Sequence, residues 1–279
     1  MAKHSQFPQW QVAQQELVIN ILSATISKRW TIRRVIRIGF ILWALIAMLW
    51  LANSVRTQGV DKSTLQSNSL ISVQNNATSL AFLPSSPNSH AGLIFICGSG
   101  VAAEAYAPLL RPIAEDGTPV FIVKLPYRFA PRDTDKNAAI GRVDKVMVSH
   151  PEVKYWVVAG HSLGGALTAK LAMETPELLS AIILIATTHP KDYDLSRLDI
   201  PVIKIYASND GIAPLERVLA NKDRLPSHTR WLELKGGNHS QFGRYGHQLL
   251  DGTATISREE QEAFTRSAIR RVLADIKKG

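Results

Sequence analysis

From about residue 70 onward, short apolar runs alternate with stretches of helical length. The runs are SLISV (69–73), SLAFL (79–83), GLIFIC (92–97), PVFIVKL (119–125), YWVVAG (155–160), AIILIAT (181–187), PVIKIYA (201–207) and WLELK (231–235). Several are rich in β-branched residues and apolar along their whole length, so they need cover on both faces. Between the later runs lie candidate helices near 103–115, 135–149, 163–174, 213–223 and 258–277. This alternation predicts an α/β fold: a mainly parallel sheet of about eight strands, flanked by helices on both faces. No internal repeat and no second globular domain is visible. Only the stretch from Thr188 to Ile200 has the position of a cap, and it is too short for a folded lid.

The first part of the chain has a different character. The run from Ile38 to Ala52, IGFILWALIAMLWLA, is uncharged. As a helix it rises about 22 Å, short of a ~30 Å hydrocarbon core unless Arg37 and Arg56 reach the two interfaces. Two readings stay open, an uncleaved anchor and the apolar region of an export signal; the long preceding stretch favours the anchor. Lys28, Arg29, Arg33, Arg34 and Arg37 all precede the run, which puts that end in the cytoplasm and the main domain outside it. Residues 10–26 read as a further helix with an apolar face. The expected division is therefore a basic cytoplasmic segment (1–37), an anchor or signal region (38–55), a Ser/Asn/Gln-rich linker (56–69) and the α/β domain (70–279).

The same segment explains the charge. The chain has 279 residues and a formal net charge of +9. Residues 1–57 hold seven Lys or Arg against Glu16 alone, so they carry +6 and leave +3 for the rest. A domain at +3 without a basic block gives no footprint for nucleic acid, whereas a basic flank on an apolar run has a membrane explanation. Cys97 is the only cysteine. An intramolecular disulfide is excluded, a single cysteine argues against a cysteine-based metal site, and no metal or cofactor is expected.

Gly160-His161-Ser162-Leu163-Gly164-Gly165 fits G-x-S-x-G, in which a serine sits at the apex of a strand-to-helix turn. The context agrees: YWVVAG before it is strand-like, and ALTAKLAMET after it reads as a helix. Such a turn exposes the hydroxyl, needs small residues where the backbones converge, and aims a helix N-terminus at developing negative charge. His161 must leave the turn in another direction and reads as packing or pocket wall.

A serine hydroxyl needs a base, and the imidazole that serves as one needs a carboxylate to fix its tautomer. PVIKIYA runs into SNDGIAP, placing Asp210 just past a strand; WLELK runs into GGNHSQFG, placing His239 in the next such loop. The spacings, 48 from Ser162 to Asp210 and 29 on to His239, leave room for the intervening elements. Asp210 also heads an Asp-Gly pair, a common turn. Asp192, Asp194 and Asp199 lie in the cap or before a strand, and His150, His189, His228 and His247 follow no strand in the required way. His4 and His90 precede the sheet core.

GLIFIC ends in Gly98-Ser99-Gly100-Val101. A loop there can donate one amide to an oxyanion, Ser99 first and then Gly100, with the amide of Leu163 as the second donor. The phosphate-loop reading of these glycines lacks its lysine. Tyr106, Tyr127, Phe129, Ile212 and Phe242 flank the motif loops and are candidates for lining a substrate pocket.

Taken together, GSGVAAEAYAPLL, PVFIVKLPYRFA, AGHSLGGALTAKLA, ASNDGIAP and GGNHSQFGRYGHQLLDGTATIS make residues from about 90 to 275 resemble the α/β-hydrolase superfamily. Within it they resemble the small lidless group known as α/β-hydrolase family 5, related to dienelactone-hydrolase-like enzymes. The resemblance implies the α/β-hydrolase fold with a minimal cap, and Ser162, Asp210 and His239 as a triad acting on a small-molecule or lipid-like ester. The cysteine nucleophile of dienelactone hydrolase and the aspartate nucleophile of haloalkane dehalogenases are absent. Fold alone does not name a substrate. A peptidase, an acyltransferase and a catalytically silent binding module are the other readings.

Overall fold

The computed structural model describes residues 9–88 and 90–276. The first eight residues of the expected basic segment, and residue 277 at the expected end of the last helix, lie outside the described residues. The chain divides into two units, Met1–Ala52 and Asn53–Gly279.

In the first unit a single helix, α1 (Gln9–Ser54), replaces the two helical pieces expected at 10–26 and 38–55. The residues between them include Lys and Arg, which are good helix formers, and no proline or glycine interrupts the chain between Gln9 and Gly39. Among the described residues α1 is the one helix long and apolar enough to cross a membrane.

The second unit is built on eight strands: β1 (Ile71–Asn75), β2 (Ser79–Pro84), β3 (Ala91–Ile96), β4 (Val120–Val123), β5 (Tyr155–His161), β6 (Ala181–Ile185), β7 (Val202–Ala207) and β8 (Arg230–Leu234). Their spatial order is β1-β2-β4-β3-β5-β6-β7-β8. The β1–β2 and β2–β4 pairs are antiparallel and the remaining five are parallel. Every residue of β3, β4 and β6 is buried, which is why these strands read as unbroken apolar runs. The edge strand β1 alternates instead.

Five helices follow: α2 (Ala107–Glu115), α3 (Asp133–Ser149), α4 (Leu163–Glu174), α5 (Leu215–Leu219) and α6 (Arg258–Ile276). From β3 the chain steps through α2 to β4 on one side, then returns through α3 past β3 to β5. Right-handed crossovers in opposite directions put α2 on one face and α3 and α4 on the other. Contacts agree, with α2 against α6 and α3 against α4. The reversal makes a crevice at the C-terminal ends of β3 and β5, the place where open α/β sheets hold ligands.

Residues 56–69, whose composition reads as a linker, are docked onto this unit. Nη1 of Arg111 donates to the carbonyls of Ser63, Thr64 and Gln66 at 2.7–3.0 Å, and the Gln58 amide donates to the Arg244 carbonyl at 2.8 Å. A short 3-10 turn (Lys62–Leu65) forms there. The anchoring guanidinium lies nearly fifty residues away in sequence, so local composition carries no trace of it.

Candidate active site

Ser162 lies between the end of β5 and the start of α4, with φ 55° and ψ −115°. A non-glycine residue in that region is strained and persists because its surroundings hold it. The holding is visible: the Ser162 amide donates to the Ile185 carbonyl at 2.9 Å, and its carbonyl accepts from the Ala166 amide at 3.1 Å. Strand and helix approach so closely that a Cβ on Gly160 would fall 2.2 Å from the Gly164 backbone, and one on Gly164 would fall 2.0 Å from the Ile96 carbonyl oxygen. The motif glycines are therefore required by backbone packing. Ser162 itself is half-buried.

Asp210 and His239, in the loops after β7 and β8, are in direct contact. Nδ1 of His239 lies 2.8 Å from Oδ2 of Asp210, and the two side chains are 1% and 0% exposed. The other carboxylate oxygen of Asp210 accepts the amides of Ile212 at 2.8 Å and Ala213 at 2.6 Å. One oxygen of this aspartate thus holds the turn and the other contacts the imidazole. Ser162 and His239 line the same cavity, of about 210 Å³.

Asp251 was not singled out from sequence, yet it ties the two loops together. Its Oδ1 accepts the amides of His239 (3.1 Å), Gly211 (3.3 Å) and Gly252 (2.9 Å), and its Oδ2 accepts the amide and hydroxyl of Ser240 at 2.8 and 2.6 Å. Asn238 and Gln261 brace the same turn from behind. The only sequence signal was its Asp-Gly pair, which reads as an ordinary turn.

His161 leaves the turn inward and is fully buried. Its ring centroid lies 4.7 Å from that of His239. The Tyr106 hydroxyl accepts the Gly98 amide at 3.0 Å and shares a hydrogen bond with Nδ1 of His161, 2.9 Å away. Burial, then the neighbouring His239, holds the His161 pKa well below the usual histidine value, so a neutral ring supports the imidazole above it.

This accounts for two of the five pocket candidates. Tyr106 and Phe242 are buried against His161, because aromatic rings fill the space behind the histidine pair. Tyr127 and Phe129 sit on the turn after β4, 75% and 47% exposed, and do not line the cavity. Ile212 does. Of the backbone donors, the Gly100 amide is engaged by the Arg128 carbonyl at 2.8 Å and the Gly98 amide by Tyr106. The amides of Ser99 and Leu163 have no acceptor among the described residues, so Ser99 rather than Gly100 is the available donor of that loop.

The cap is held from below. Nζ of Lys204, in the middle of β7 and 1% exposed, donates to the His189 carbonyl, and the Asn221 side chain donates to the Thr188 carbonyl at 3.2 Å. Burial pushes the Lys204 amine down to about 7. Cys97 is buried at the end of β3 and its thiol pKa is pushed up by burial, which keeps it in the unreactive thiol form. Among the described residues no group of three or more His, Cys, Asp or Glu is placed to hold a metal ion.

The comparisons with known proteins agree with this architecture. A search of curated proteins returns no match. Among solved structures, a predicted CIB-like hydrolase from Thermoplasma acidophilum superposes with a TM-score of 0.55 at 13% identity, covering 72% of this chain and 99% of that one. Est1E from Butyrivibrio proteoclasticus, with ferulic acid bound, gives 0.54 at 13% identity over 73% and 96%. A structure reported for the metagenome-derived lipolytic enzymes LipS and LipT gives 0.51 at 17% identity over 75% and 100%. At these identities the likeness shows the fold. A family model described as "Alpha/beta hydrolase family" matches residues 92–263, well over half of the sequence, and the chain belongs to that family.

Proposed function

We propose that this protein is a serine hydrolase that cleaves carboxylic esters or thioesters, with Ser162 as nucleophile, His239 as general base and Asp210 as the orienting acid. The observation that carries the reading is the buried 2.8 Å contact between His239 and Asp210 on the wall of the cavity that Ser162 also lines. In the proposed reaction His239 takes the Ser162 proton as the oxygen attacks the carbonyl. The amides of Leu163 and Ser99 hold the oxyanion. His239 then protonates the leaving group and activates water to release the acyl group. The esterase and lipolytic neighbours support ester chemistry as the starting point. A peptidase and an acyltransferase use the same machinery and differ in leaving group and acceptor.

We also propose that α1 anchors the protein in a membrane with its basic end in the cytoplasm and the catalytic unit outside, by the distribution of Lys and Arg. Fractionation of expressing cells, with protease access from outside, tests this. Soluble product lacking the N-terminus would identify α1 as a cleaved signal.

The catalytic reading is tested by turnover of short p-nitrophenyl esters by the detergent-solubilised full chain. Turnover lost in Ser162→Ala is the expected result. Full activity in that variant would refute the assignment, and a folded protein inert toward acyl and peptide substrates would point to a binding module.

A further inference from the structure

The cavity shared by Ser162 and His239 has an unusual charge balance. Two cationic side chains line it, Lys191 from the cap and Arg217 from α5, and no carboxylate does. Neither cation forms an ion pair among the described residues, so both charges are free to meet a bound anion. Asp210 is buried behind His239 and committed to it and to two amides. Asp192, beside Lys191, lines the adjoining groove instead.

His189 stands between this cavity and the adjoining groove. It lines both spaces, and its pKa is pushed down to about 4, first by burial and then by Lys191 and Lys204, with Asp192 opposing and Lys136 adding least. Positive charge on the walls of a small cleft concentrates anions there and selects among substrates that are otherwise alike.

We propose that this site takes small esters carrying a negative charge, a carboxylate or a comparable anion, within a few bonds of the scissile carbonyl, with Lys191 and Arg217 as the groups that bind it. The inference rests on the Ser162 reading above and adds the substrate class. The cavity of about 210 Å³ adjoins a groove of about 510 Å³ with which it shares Leu163, Ala166 and His189, and the two cations stand on the Ser162 side. A guanidinium and an ammonium arriving from two different connections grip one anion with charge-assisted hydrogen bonds.

The test uses two pairs of esters matched in size: monoethyl glutarate against ethyl pentanoate, with the charge on the acyl side, and 4-acetoxybenzoate against its methyl ester, with the charge on the leaving group. The full chain in detergent is assayed by acid release, and the readout is the ratio of kcat/KM, anionic over neutral. A ratio of about ten or more in at least one pair is expected, shrinking in about 0.5 M salt. Lys191→Glu and Arg217→Glu should each lower it by roughly fivefold or more, with folding checked by thermal unfolding. Neutral esters cleaved with no preference for the anion in either pair, or a ratio that neither substitution moves, would overturn the inference and leave the serine-hydrolase reading standing. No turnover of any ester by folded protein would sink both.

Discussion

Replacing Asp210 by Asn separates the two roles of its carboxylate. The amide has nearly the same shape, and its oxygen can still accept the Ile212 and Ala213 amides, now 2.8 and 2.6 Å from Oδ1. The position now 2.8 Å from Nδ1 of His239 then carries an NH2 group, a donor facing a donor. The ring must present a bare Nδ1 to it, which puts the proton on Nε2 and leaves His239 unable to take one from Ser162. In triads of this kind the wrong tautomer lowers kcat about 10⁴-fold, some 5 kcal/mol of barrier. Because the loop keeps its amide acceptors, the melting temperature of D210N should stay within a few degrees. Asp210→Ala should lose activity to a similar extent and also melt earlier, since it strands two buried amides at ~1–3 kcal/mol each. Ester turnover and thermal unfolding of the three proteins side by side give the answer. An Asn variant within tenfold of the unmodified rate would refute the assignment of Asp210 as the orienting acid.

Other expectations follow from the same contacts. Asp251→Ala removes the acceptor for five hydrogen bonds, four of them from the aspartate and histidine loops, so it should lower stability by about 3 kcal/mol or more and reduce kcat, measured by denaturant unfolding and ester turnover. Gly164→Ala drives a methyl to 2.0 Å from the Ile96 carbonyl oxygen and should leave little soluble folded protein on expression. Lys204 is the third case. Its folded pKa of about 7 lies below the ordinary 10.5, so the unfolded chain binds the extra proton between those values and stability rises with pH across that window, having been lost as pH falls toward 7. Unfolding free energies between about pH 7.5 and 9.5 should rise more steeply in the unmodified protein than in Lys204→Met, by close to one proton; equal slopes would contradict the burial argument.

Much of the architecture was legible because the code for it is local. Strands buried on both faces must be apolar throughout, so β3, β4 and β6 appear as unbroken apolar runs, and the glycines around Ser162 mark a convergence that backbone geometry demands. Asp210 and His239 stood out as polar residues directly after such runs. What was not legible depends on long-range contacts. Nothing near Asp251 reveals that its carboxylate braces two catalytic-loop candidates, and nothing near residue 60 reveals the Arg111 guanidinium. Tyr106 and Phe242 flank motif loops as pocket residues would, but the space they fill lies under His161, a fact set by the packing of β5 against the histidine loop. The joining of two expected helices into α1 followed from propensities in the basic stretch, where charge had suggested a boundary.

The central claim is that His239, held by Asp210, makes the Ser162 hydroxyl a nucleophile. Mass-spectrometric mapping of the folded full chain after treatment with a fluorophosphonate tests it most directly. The account predicts one adduct, on Ser162, whose formation is lost in His239→Ala. An adduct on another residue, or undiminished Ser162 labelling without the histidine, would contradict it.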